Sequence, residues 1–179
     1  MKRYLIAAAM IALAGAAEAG DFQVTSPEFA SGTLPQAQFA DKMGCTGGNV
    51  SPEIRWSGAP EGTKSFVVTM YDKDAPTGSG WWHWVVVDIP ADATSIPAGA
   101  GTDAAKLPKG AHMTETDMRE VAYLGACPPA GPAHEYKITV KALKVEKLEI
   151  PENASPALVG FMSNMNKLAE ATIVAKGGR

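Results

Sequence analysis

Apolar and polar positions alternate with period two in several short stretches, the signature of half-buried β-strands. Ser65–Asp72 (SFVVTMYD) sets Phe66, Val68 and Met70 on one face. Residues 135–143 (EYKITVKAL) set Ile138, Val140 and Ala142 inward, with Lys137, Thr139 and Lys141 outward. Residues 81–89 (WWHWVVVDI) are almost continuously apolar, as in a central strand buried on both faces. Residues 22–25, 54–56 and 172–175 are shorter strand candidates, the last a closing strand. One helix stands out. Ser155 is placed as an N-cap and Pro156 at the first helical position. Leu158, Phe161, Met162, Met165, Leu168 and Ala169 follow at helical spacing, predicting an apolar stripe packed on the core. Residues 91–134 are rich in Gly and Pro and read as loops, which often carry function. The fold class is therefore mainly β with a few peripheral helices.

The N-terminus has a different pattern. Lys2 and Arg3 precede an uncharged apolar run over residues 5–14, and Ala17-Glu18-Ala19 has the small-x-small form of a cleavage site. Residues 1–19 are expected to be an export signal, cut before Gly20, leaving residues 20–179 as one domain. No later segment is apolar for long enough to be a transmembrane helix. The expected location is the periplasm or the exterior.

Composition narrows the function. Without Lys2, Arg3 and Glu18 the chain has 14 basic and 18 acidic side chains. That mild acidity excludes the electrostatic footprint of a nucleic-acid binder and of a polybasic lipid-binding surface. Any bound anion must be held by local donors. Cys45 and Cys127 make an even count, and an oxidising compartment favours a disulfide between them.

Four places concentrate polar chemistry. Asp72-Lys73-Asp74-Ala75-Pro76 ends a strand, where extended geometry sets Asp72 and Asp74 on one side; a simple turn explains the same residues. His83 lies among Trp81, Trp82, Trp84 and Val85. It is either a neutral buried histidine with a backbone partner or one oriented by a carboxylate, and a hairpin through residues 76–80 would bring the aspartates near it. His134 and Tyr136 share the face of Ile138 and Val140, as a pocket floor would; a core tyrosine with a surface histidine is the alternative. Cys127-Pro128-Pro129 reads as a rigid turn, with a cis bond considered, and as a pocket wall.

These strings, with Gly48-Asn49-Val50-Ser51-Pro52, Gly80-Trp81-Trp82-His83-Trp84-Val85-Val86 and His134-Glu135-Tyr136, occur in an order that resembles the phosphatidylethanolamine-binding protein family, also called Raf kinase inhibitor proteins, and within it the bacterial YbhB/YbcL type. The resemblance covers residues 22–175. It implies a central antiparallel β-sheet packed on a smaller one, with short helices at the edge. It also implies an anion pocket lined by Asp72, His83, His134 and Tyr136, with Asp74 as the second aspartate of its motif. The backbone at Ala75 and Cys127, with Pro129 in the same wall, would face the ligand. Lys73 stands where the family usually has proline, Glu135 where it has a basic residue or histidine, and residues 113–119 lack the Asn-Asp-aromatic-Gly run of bacterial relatives.

The sequence thus points to a binding protein for a small anion such as a phosphate ester or phospholipid headgroup, without cofactor, metal or catalytic residues. Histidines charged and oriented by Asp72 and Asp74 would donate to the anion. The family implies that a protein partner such as a kinase or protease is modulated. The competing expectation is a metal-dependent or other hydrolase using His83, His134 and Asp72; neither HExxH nor GxSxG is present.

Overall fold

The computed structural model describes residues 21–179; the expected export signal and its cleavage site lie outside the described residues. Two antiparallel sheets face each other. The smaller has the order β1-β2-β5, from β1 (Gln23–Thr25), β2 (Ile54–Ser57) and β5 (Ser95–Ile96). The larger has the order β6-β4-β3-β7-β8. It comprises β3 (Ser65–Asp72), β4 (Trp81–Pro90), β6 (His112–Met113), β7 (His134–Leu143) and β8 (Lys167–Gly177).

The main core lies between the sheets. Val24, Ile54, Trp56 and Ile96 of the small sheet meet Phe66, Val68, Met70, Trp84, Val86, Ile138 and Val140 of the large one. The alternation of β7 appears as expected, with every second side chain from His134 to Ala142 buried. In β3 the other face is largely buried too. There the helix α1 (Pro156–Asn166) packs, and Val67, Val85, Val87, Leu143 and Val159 form a second apolar cluster. Strands at the centre of the large sheet are therefore covered on both faces along part of their length.

Ser155 caps α1 as expected, its Oγ accepting from the Leu158 N–H at 3.3 Å, with Pro156 in the first turn. Only part of the apolar stripe faces the core, through Met162 against the second apolar cluster. Val159 and Ser163 are buried, whereas Leu158, Phe161 and Met165 are exposed, Phe161 at 60%. The helix stops at Asn166 and the chain enters β8 at once, so Leu168 and Ala169 are strand residues. The closing strand is longer than residues 172–175 because it pairs along the whole of β7, with one irregularity beside Leu143.

Cys45 and Cys127 are joined by a disulfide, their Cα atoms 5.8 Å apart. The Cys127-Pro128-Pro129 segment has trans peptide bonds, not a cis one, and the chain bends just after it, over residues 130–132. No helix among the described residues is long and apolar enough to cross a membrane.

Candidate anion pocket

Three neighbouring strands end together at one edge of the large sheet. Asp72, the last residue of β3, is in register with Trp81 at the start of β4 and with Tyr136 near the start of β7. The β3–β4 hairpin closes through Gly80, whose φ is +70° and whose position a Cβ would drive into Tyr71 and the Asp72 carbonyl. Glycine is required there on both counts.

The register between β3 and β4 slips between Met70 and Tyr71, leaving His83 as the extra residue of β4. Regular alternation forbids two consecutive side chains on one face. The bulge lifts that restriction. His83 meets Tyr136 edge-on with ring centroids 5.4 Å apart, while Trp84 meets Tyr123 at 5.8 Å. Both tyrosines belong to the same core cluster.

Each polar group has a defined partner or a defined lack of one. The Asp72 carboxylate, 3% exposed, is fully engaged. Its Oδ1 accepts from the Asp74 N–H at 2.8 Å and the Ala75 N–H at 3.1 Å, an aspartate turn. Its Oδ2 takes the His134 Nδ1–H at 2.7 Å, which leaves His134 Nε2 as the free polar atom of that ring. His83 Nδ1–H donates to the Leu124 carbonyl at 2.8 Å, and the Leu124 N–H returns to the His83 carbonyl at 2.9 Å. His83 Nε2 and the Tyr136 hydroxyl are both buried without a hydrogen-bond partner. Burial, then the nearby Asp72 charge, pushes the Tyr136 phenol up, so it remains a neutral donor.

These groups surround a cavity of about 200 Å3. Asp72, His83 and His134 give it polar atoms; Trp81, Pro76, Pro128 and Pro129 make its walls apolar. Ala75 and Cys127 also line it. The Ala75 amide is committed to Asp72 and does not face the cavity unpaired. Tyr136 sits behind His83 and away from the lining. Asp74 turns outward: it accepts from the Glu135 N–H at 2.8 Å and pairs with Lys73 at 2.8 Å. Lys73 also reaches Glu135 at 3.0 Å, so the two departures from the family pattern compensate each other in one exposed ion-pair cluster. Asp74 therefore orients neither histidine.

Three participants had no signal in the sequence. Leu124 acts through its backbone. Asp117 accepts the Trp82 N–H at 2.9 Å and so fastens the loop after β6 along the bulged end of β4. Met43, at φ +59° in the turn before the disulfide, lines the mouth.

In the free protein the surroundings of His83 disfavour its charged form. Burial lowers its pKa, an effect only partly offset by the Leu124 carbonyl and the Asp72 charge. The unfolded chain then binds the His83 proton more readily than the folded one. Stability from this group is complete above about pH 6.5 and is lost as pH falls through the lower folded value. Urea midpoints measured downward from pH 7 should fall through this window, and His83→Gln should flatten that part of the curve.

A family model described as phosphatidylethanolamine-binding protein matches residues 25–177. The chain belongs to the phosphatidylethanolamine-binding protein family. Similar relatives from Escherichia coli K12 carry the names UPF0098 protein YbcL and UPF0098 protein YbhB. YbcL is 49% identical over 176 residues, covering 97% of this chain and 96% of the relative. YbhB is 49% identical over 142 residues, covering 79% and 90%. The crystal structure of Escherichia coli YbcL, described as a member of the mammalian PEBP family, superimposes with a TM-score of 0.85 at 51% identity, over 88% of this chain and 98% of that one. The two-sheet architecture of this family member is thus shared with a solved relative. Among its described residues no group of three or more His, Cys, Asp or Glu side chains is disposed to hold a metal ion.

Proposed function

We propose that this protein binds a small phosphate-ester anion, of the size of a phospholipid headgroup, in the pocket between the starts of β4 and β7 and the end of β3. The observation that carries this reading is the unpaired Nε2 of His83, buried at the pocket beside the free polar edge of His134. A buried polar atom without a partner is costly unless a ligand or water satisfies it. Asp72 fixes the His134 ring and the Leu124 carbonyl fixes that of His83, so both hydrogen-bonding edges are set before a ligand arrives. The cavity is smaller than the roughly 300–1,000 Å3 of a drug-sized site, which supports a headgroup and not a whole lipid. The walls of Trp81, Pro76 and Pro128 suit the alkyl part of an ester.

Binding here requires no reacting atom, and we assign no catalytic step. The donor geometry gives the hydrolase reading no support, because both Asp72 oxygens are already spent on His134 and the turn. The N-terminal pattern and the disulfide support a periplasmic or secreted protein.

Anion binding should draw a proton onto His83, whose Nε2 then becomes a donor. Affinity therefore rises as pH falls, by up to roughly tenfold per unit while His83 is neutral in the free protein. Glycerophosphoethanolamine is a suitable probe, since its phosphodiester keeps one charge across the range. Calorimetric titration between pH 5 and 8 should show this slope, and His83→Gln should remove it. A flat profile for the unsubstituted protein would sink the mechanism.

A further inference from the structure

The outward face of the large sheet is covered by α1 only around Val67, Val85, Val87 and Leu143. Past the C-terminal end of the helix the same face opens into a groove of about 320 Å3. Its floor is a ladder of register neighbours. Trp82, Tyr71 and Lys137 form one cross-strand row. Thr69, Thr139 and Thr172 form the next. Lys141 and Glu170 follow. Successive rows are about 7 Å apart along the strands, so the aromatic row and the Lys141 row are about 14 Å apart.

Three features set this groove apart from an ordinary solvated sheet face. The Trp82 and Tyr71 rings pack on each other with centroids 4.5 Å apart and remain half-buried on the open side of the sheet. The Lys141 ammonium is held by Ser163 Oγ at 3.2 Å and Asn164 Oδ1 at 2.7 Å, which leaves one of its three donors uncommitted. Burial lowers the pKa of that amine, so an anion placed beside it would favour its charged form. Lys137, Lys141 and Lys167 also face a single carboxylate, Glu170, in a chain that is negative overall. Lys167 bonds Glu170 at 2.8 Å and, with Lys141 and Lys137, holds that carboxyl below its ordinary range.

We propose that this groove is a second ligand site, independent of the anion pocket, and that it takes an acidic saccharide. The apolar C–H face of a pyranose ring lies on the Trp82–Tyr71 pair, its hydroxyls meet the threonine row, its carboxylate is held by Lys137 in the same row, and the carboxylate of a following sugar unit reaches Lys141. The two rings are inclined at 42°, so they form a one-sided platform and not a parallel slot for a planar base. Hydroxyl groups between an aromatic row and a cationic row complement a saccharide that is apolar on one face, hydroxylated at its edge and charged at one substituent.

Calorimetry with trigalacturonate tests this, with neutral cellotriose and inorganic phosphate as comparisons. One trigalacturonate should bind per chain, cellotriose should bind far more weakly, and saturating phosphate should not compete. Trp82→Ala should weaken binding roughly five- to tenfold. Lys137→Gln, an outward-facing change that spares the core, should weaken it about two- to fivefold and leave glycerophosphoethanolamine binding unchanged. Competition by phosphate would place the saccharide in the anion pocket and overturn the proposal. Equal binding of cellotriose would overturn the role of the lysines. Attraction that vanishes at about 0.15 M salt and ignores Trp82→Ala would reduce the groove to a charged surface.

Discussion

Replacing Cys45 and Cys127 together by alanine should lower the stability of the folded chain by about 4.5 kcal/mol. The bridge joins residues 82 apart, and its loss returns the entropy of that long loop to the unfolded ensemble. For a chain of this size the melting temperature should drop by roughly 10 to 15 °C. Guanidinium unfolding of the oxidised protein and the double variant, under identical buffer, measures the difference directly. The effect should extend to binding, because the bridge fastens the turn carrying Met43 to the Cys127 wall, and both line the pocket. Arg179 adds a smaller tie to the same turn through the Gly44 carbonyl at 3.1 Å. A double variant as stable as the parent would mean that contacts around Leu124 and Ala40 already hold these segments together.

Asp72→Ala should be nearly as damaging, at roughly 3 to 5 kcal/mol. One buried carboxylate there satisfies three donors, two from the following turn and one from His134. Truncation leaves all three without an acceptor and frees the His134 ring. Asp74→Ala provides the contrast. Its carboxylate is at the surface with Lys73, and its loss should cost below about 1 kcal/mol. Headgroup affinity should fall by more than roughly tenfold in the Asp72 variant and stay near the parent value in the Asp74 variant. Equal losses in the two would show that the aspartates act as a pair.

That contrast also marks where the sequence stopped being readable. Period-two geometry set Asp72 and Asp74 on one side, but the strand ends at Asp72 and the chain turns back over its carboxylate. Asp74 is outside the regular element, so the rule no longer applies to it. His83 is a similar case. Its closeness to Asp72 followed from the hairpin, but a bulge in β4 decides how its ring points, and bulges leave no mark in a run as uniform as Trp-Trp-His-Trp-Val-Val-Val. In the free protein burial lowers its pKa more than the neighbouring carboxylate, already occupied by His134, raises it.

The strands were legible where one face alternates cleanly, as in β7. Short β5 and β6 offered too few residues for a period. In α1 the capping serine and proline located the start, but of the hydrophobic stripe within the helix only Met162 packs on the core side. Leu158, Phe161 and Met165 repeat at helical spacing, and spacing alone does not say whether anything packs against them. The helix faces the sheet through Val159, Met162 and Ser163.

One strand, β7, carries His134 at one end and Leu143 at the other, nine residue steps apart. At strand rise this is about 30 Å. The pocket belongs to the first end and the helix-covered patch to the second. Changes at sites so far apart combine additively. A lineage can therefore rewrite the outer face of α1, substitution by substitution, while the inherited chemistry around His134 is kept under separate selection.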